Sequence, residues 1–301
     1  MTAVLGAPTS FLLSLAACYL IVRTSGKAYV PNKIELSGFQ SREKEKVSSF
    51  GGIAIAFAFI AASLLFSFSK QTAALCICSG LFFFIGIADD LSKLAKKSSD
   101  GLSSLLKLTL QLTASALAVY GAITLGALES RGPWIFLMRC LYIVTVVNAV
   151  NITDGLDGLA GTLSSEALIA FIILFSQSGL VFPAAFLLAA ILAYLCFNWN
   201  PAKIFMGDSG SHLIGSTLGM LALLQDCWIT MPLALLVMIA ELASSALQIF
   251  SIRAFGKKVF PIAPLHHIFQ MKKVKEVRIT LLFSAIGLGC ALLWILVEAI
   301  W

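Results

Sequence analysis

Apolar stretches of about 18 to 24 residues follow one another along nearly the whole chain, each long enough to cross roughly 30 Å of hydrocarbon as a helix. No other feature limits the fold so severely. In lipid every backbone N–H and C=O must find a partner inside the protein, which a helix supplies within one segment and an open sheet does not. Of the 301 residues 59% are hydrophobic and only 12% charged, far from the usage of a soluble domain. The expectation is an all-α, polytopic integral membrane protein forming a single domain over residues 1–301. About ten transmembrane helices are read, near 2–22, 50–68, 71–88, 105–127, 134–153, 159–176, 180–197, 210–225, 228–252 and 279–300.

Charge placement orients these spans. The first, Thr2–Val22, lacks a basic leader and is followed by Arg23 and Lys27, so it reads as a retained helix rather than a signal peptide. Of the 21 Lys and Arg residues, 18 fall in the segments 23–49, 89–107, 198–209 and 253–278. Ten spans put all four on one side, and the positive-inside rule makes that side cytoplasmic, with both termini external. The formal net charge of +6 is therefore a consequence of topology and no argument for nucleic acid; the basic rim favours anionic lipids and phosphorylated ligands. The seven cysteines nearly all fall within spans and read as small packing residues. Arg139 lies within the fifth span, with Glu241 as a candidate partner.

The polar motifs respect the same sidedness. Asp89-Asp90 ends the third span, Asn151 to Asp157 ends the fifth, Asn198 to Asp208 follows the seventh, and His266-His267 follows the ninth. Such groups are costly to place in or near lipid and mark functional sites there. Taken singly, each has a plainer reading: Asp89-Asp90 with Lys93 as a solvated helix end, Asp208 in an ordinary Gly-Ser turn, the histidines as loop residues. Their convergence on one face is what those readings leave unexplained.

Five carboxylates, Asp89, Asp90, Asp154, Asp157 and Asp208, repel one another unless cations intervene, and an all-oxygen environment suits Mg²⁺ or Mn²⁺. Lys93, Lys96, Lys97 and Lys107 supply donors for phosphate oxygens, and turns at Gly155, Gly158, Gly207 and Gly210 add backbone N–H groups at helix starts. This combination serves phosphoryl or phosphosugar transfer, where catalysis is mostly positioning and charge neutralisation. A secondary transporter is the rival class; the absence of a visible inverted repeat and the gathering of acids at one face, not mid-span, argue against it.

These residues also carry a resemblance. From about Gly51 onward the chain is similar, in collinear order, to the polyprenyl-phosphate N-acetylhexosamine-1-phosphate transferase superfamily. The motifs are Asp89-Asp90-x-x-Lys93, Lys107-x-x-x-Gln111, Asn148 to Ala160, Asn198-x-x-Pro201 through Phe205-Met206-Gly207-Asp208-Ser209-Gly210-Ser211, Glu241-x-x-Ser244-x-x-x-Gln248, and Ala263-Pro264-Leu265-His266-His267. Thr153 before Asp154, the Glu241 to Gln248 pattern and the Pro-Leu-His-His context resemble the branch of phospho-N-acetylmuramoyl-pentapeptide transferases. Ile268 stands where that family has a third histidine, and Val47 to Gly52 where it has a Thr-Pro-Thr-Met-Gly-Gly segment.

The resemblance implies a Mg²⁺-dependent exchange at the cytoplasmic face of a bacterial inner membrane. Undecaprenyl phosphate attacks the β-phosphate of UDP-N-acetylmuramoyl-pentapeptide, giving lipid I and UMP for peptidoglycan synthesis. Transfer from a simple UDP-HexNAc, starting teichoic acid or O-antigen synthesis, is the alternative within the superfamily. It further implies that Asp208 with Asn151 holds Mg²⁺, and that Asp89 and Asp90 position or deprotonate the acceptor phosphate. Lys93, Lys97 and Lys107 would hold phosphates; Asn198, Asp157 and Phe205 would form the uridine pocket; Asn148 and Asp154 would contact substrate. Gln248, Ala263, His266 and His267 would face the sugar and peptide, with His266 counted among the catalytic groups. Much of a phosphate monoester is already a dianion at pH 7, so direct attack needs little general base. A homodimer is compatible with the sequence and is not specified by it.

Overall fold

The computed structural model describes residues 2–24, 47–98 and 100–300, and the elements assigned there are helices. Ten are long: α1 (Thr2–Thr24), α2 (Gly51–Phe66), α3 (Lys70–Lys96), α4 (Ser104–Thr124), α5 (Gly132–Thr153), α6 (Leu159–Leu174), α7 (Val181–Asn198), α8 (Gly207–Leu224), α9 (Leu236–Phe255) and α11 (Glu276–Ile300). The short α10 (His266–Met271) lies in the loop between the last two. Most of the basic segment after α1, Lys27 included, lies outside the described residues.

Seven of the long helices, α1, α3, α4, α5, α7, α9 and α11, are long and apolar enough to cross a membrane. The remaining three depart from the ten-span reading for separate reasons. α2 and α6 are apolar but have 16 residues each, about 24 Å of helix at 1.5 Å per residue. α8 is more polar because it hardly meets lipid: every residue from Ser209 to Leu224 is buried. It is the axis of the bundle, with α3, α5 and α2 packed around it.

Small residues let the neighbours approach that closely, as in membrane helix packing generally. A Cβ at Gly86 of α3 would lie 2.5 Å from Ser209 Cα, so this crossing tolerates only glycine. One turn into the membrane and beyond, hydroxyls join the helices: Ser79 meets Thr217 at 2.7 Å, and Ser10 and Ser14 of α1 donate to the Phe186 and Ala190 carbonyls of α7 at 2.8 Å.

Three boundaries differ from expectation. α3 continues to Lys96, so Asp89, Asp90 and Lys93 all sit on helix, with Lys93 reaching back one turn to Asp89. The span read from 228 begins instead with a 3-10 turn, Met231–Leu233, where Pro232 supplies no backbone N–H for an α-helical bond, and α9 starts at Leu236. Arg139 does not pair with Glu241. Its guanidinium donates to the Glu129 carbonyl at 2.6 Å, at the bundle end where Arg131 meets Asp226 at 2.9 Å. Glu241 faces the other end.

Candidate active site

The N-terminus of α8 forms the floor of the site. Its first free N–H groups, at Asp208 and Ser209, donate to the two oxygens of Asp90, each at 3.0 Å. Ordinarily a helix is capped by a residue just before it; here the cap arrives from α3, and Asp90 is buried to 1% exposure. Adjacent helix positions point about 100° apart, so Asp89 faces elsewhere. Its Oδ1 accepts from Leu102 N at 2.8 Å, and its Oδ2 faces Lys93 Nζ at 2.7 Å and Lys107 Nζ at 3.5 Å. Two consecutive carboxylates thus have different work: Asp90 holds α8, and Asp89 holds lysines.

Asp208 completes that cluster. Lys93 Nζ lies 3.0 Å from its Oδ1, Lys107 forms an ion pair with its Oδ2, and Asn151 donates to Oδ1 at 3.2 Å and to Ser211 Oγ at 2.8 Å. Two ammonium groups between two carboxylates give a locally neutral arrangement that an incoming phosphate can reorganise. Both lysines and Asp208 keep partial solvent exposure, 17%, 18% and 14% for their side chains.

Beside this cluster runs the turn that follows α5. Asp157 Oδ2 accepts from Asn200 Nδ2 at 2.8 Å and Ala202 N at 3.1 Å, and Thr280 of α11 donates to the Asp157 carbonyl. Asn198 accepts from Gly158 N at 2.9 Å and donates to the Ile204 carbonyl at 2.8 Å. It therefore stitches the turn to the segment bearing Phe205 and Asp208. That segment is held in turn by Phe205 N donating to Ser48 O and Gly51 N donating to Phe205 O, both at 2.8 Å, and Phe205 is half-buried. Burial, with Asp208, Asp90 and Asp157 nearby, holds the Asp154 carboxyl well above the usual carboxylate range.

Several residues expected to contact substrate have partners within the protein. His266 is 0% exposed; its N–H and Nδ1 face Glu241 at 3.1 and 3.2 Å, and its Nε2 abuts Gly155, where a Cβ would lie 2.5 Å from it. It braces the turn at Gly155 from beneath, and its Nε2 has no hydrogen-bond partner within the protein. Gln248 spends its amide on the loop backbone, accepting from Val259 and Phe260 N and donating to Phe260 O, all at 3.0 Å. That pins the loop carrying Ala263. His267 bonds Gln270 at 2.6 Å, and burial together with neighbouring His266 lowers its pKa. Asn148 lies one turn below Asn151 and pairs with Gln111 at 2.8 Å. Lys97 is exposed at the end of α3, apart from the lysines that meet the carboxylates.

The sequence reading passed over Ser211 and Asn200 as contacts, gave Glu241 a different partner, and left His212 without a role. Ser211 was within reach of spacing, three residues after Asp208 on a helix. Asn200 was not, since nothing local signals its partner 43 residues away.

The glycosyl transferase family 4 profile matches residues 72–226, about half the chain and the part bearing the carboxylate cluster. A phospho-N-acetylmuramoyl-pentapeptide-transferase of Thermotoga neapolitana is 33% identical over 293 residues, covering 94% of this chain and 96% of that protein. The one of Petrotoga mobilis is 36% identical over 262 residues (81% and 82%), and that of Halalkalibacterium halodurans 30% over 316 (95% and 97%).

Proposed function

The chain belongs to the phospho-N-acetylmuramoyl-pentapeptide-transferase family within glycosyl transferase family 4, and from that membership we propose that it makes lipid I for peptidoglycan at the inner face of a bacterial inner membrane. An oxygen of undecaprenyl phosphate attacks the β-phosphorus of UDP-N-acetylmuramoyl-pentapeptide. The bond from that phosphorus to the bridging oxygen breaks, and UMP leaves with the oxygen and its electron pair. The observation that carries the reading is the gathering of Asp89, Lys93, Lys107, Asn151 and Asp208 at one end of a membrane bundle, where a lipid phosphate meets a soluble nucleotide.

Lys93 and Lys107 exchange their carboxylate partners for phosphate oxygens, delivering positive charge where the pyrophosphate and leaving group need it. Asp89 keeps those ammonium groups oriented between exchanges. The acceptor phosphate is largely a dianion at pH 7, so no residue needs to remove a proton for direct attack. Phe205 offers a ring face to the uracil, and Asp157 and Asn198 shape the turn beside it.

The donor chemistry fits Mg²⁺. A hard divalent cation would be held by one or two protein oxygens together with phosphate oxygens of the substrate. Asp208 is that carboxylate. Asn151, whose amide nitrogen now faces Asp208 at 3.2 Å, presents Oδ1 after a side-chain flip. When bound, Mg²⁺ neutralises charge on the pyrophosphate.

The test is UMP release by purified protein in detergent, with undecaprenyl phosphate, Mg²⁺ and a panel of UDP-sugars. UDP-N-acetylmuramoyl-pentapeptide should turn over fastest. Faster release from UDP-GlcNAc moves the chain to the branch that starts other surface polymers, and no UMP from any donor ends the transferase reading.

A further inference from the structure

Beneath the carboxylate cluster lies a second polar layer, supplied by the same three helices. Lys107 and Gln111 are four apart on α4, Asn151 and Asn148 three apart on α5, and Asp208 and His212 four apart on α8, so each lower residue sits one helical turn under its upper one. Gln111 Oε1 accepts from Asn148 Nδ2 at 2.8 Å, and Gln111 Nε2 lies 3.0 Å from His212 Nε2. Gln111 is 1% and His212 0% exposed.

The donors and acceptors in this layer assign the histidine. With the oxygen of Gln111 accepting from Asn148, its NH₂ faces His212, whose Nε2 accepts in this arrangement.

α4 packs on α3 and α5, and among the described residues long side chains bridge it to α8 at two levels, Lys107 to Asp208 and Gln111 to His212. Under the proposed transferase function, on which this argument rests, a substrate phosphate takes Lys107 from Asp208 and the upper bridge opens. The lower bridge is buried and untouched by that exchange. We propose that Gln111 and His212 are positioning residues which keep α4 in register with α8 during turnover, so that Lys107 stays in place after it releases Asp208.

Two measurements test this. Kinetically, His212→Leu and Gln111→Leu should each lower kcat about tenfold while KM for the nucleotide stays within about twofold, as for a contact that matters to the transition state. The double variant should be no worse than either single, because one bridge is lost in all three. His212→Gln, which retains an acceptor, should restore most of the rate.

The second measurement does not depend on activity. Nitroxide labels are placed at Leu105→Cys on α4 and Lys203→Cys ahead of α8, both exposed, with exposed Cys196 changed to serine, and their separation is measured with and without magnesium pyrophosphate. In the otherwise native protein pyrophosphate should leave the distance distribution unchanged; with His212→Leu it should shift and broaden. Should His212→Leu fail to fold, Gln111→Leu takes its place in both measurements. Identical responses with and without the bridge, or additive kinetic effects, overturn the inference. If the distances behave as expected while no UDP-sugar yields UMP, the register role stands and the transferase reading falls.

Discussion

Asp90→Asn separates the two neighbouring carboxylates most sharply. The variant keeps shape but offers one oxygen and one NH₂ to the two N–H groups of Asp208 and Ser209 that Asp90 now accepts at 3.0 Å. One charge-assisted hydrogen bond is lost, worth roughly 1.5–3 kcal/mol, and one buried N–H faces another donor at a further cost of about 1–3 kcal/mol. The loss of a negative charge at a helix N-terminus points the same way. Together these predict about 3–5 kcal/mol of destabilisation, on the order of 10 °C in midpoint by the scaling for domains of about 150–250 residues. The α8 terminus carries Asp208, and a displacement of about 1 Å there costs about a hundredfold in rate. Asp89→Asn is the control: it retains an acceptor for Leu102 N and disturbs only the lysines, so its turnover should fall with a much smaller loss of stability. Thermal unfolding in detergent and UMP release read both quantities. If Asp90→Asn melts with the wild-type protein while losing as much rate as Asp89→Asn, Asp90 acts in the chemistry and the capping argument is wrong.

Asp208→Asn removes the charge that attracts a hard cation, so turnover should drop by at least about a hundredfold and Mg²⁺ should no longer raise the melting temperature; wild-type rates at ordinary Mg²⁺ would contradict the metal assignment. Phe205→Ala should raise KM for the UDP-sugar about tenfold or more with kcat nearly intact, since stacking on a base is worth roughly 1–3 kcal/mol and is made in ground and transition states alike; unchanged nucleotide affinity would make the ring interfacial packing. The raised Asp154 pKa means the folded state holds a proton there that the unfolded chain releases. Stability from this group is present at low pH and lost as pH rises from the ordinary value of about 4 up to the raised one. Asp154→Asn, a mimic of the protonated form, should therefore raise the ligand-free melting temperature at pH 8 and flatten its pH dependence; a lower midpoint at every pH would show that the carboxylate is stabilised instead.

The sequence alone determined the class of fold and picked out the polar residues that the structure gathers at one end of the bundle. Hydropathy is a one-dimensional signal matched to a bilayer of fixed thickness, and Asp89, Asn151 and Asp208 are conspicuous because charge in an apolar chain is costly wherever it lies. What each polar group touches was decided only by tertiary structure. Asp89 and Asp90 are indistinguishable as letters, yet a rotation of about 100° along α3 turns one to lysines and the other to the start of α8. Glu241 was legible as part of a pattern, but His266, 25 residues away, became its partner only through the path of the intervening loop. α8 makes the same point for the fold. Its glycines, serines and His212 weaken the membrane signal that local composition carries, because a helix surrounded by other helices is selected to fit their backbones and hydrogen bonds, and lipid has no part in that choice.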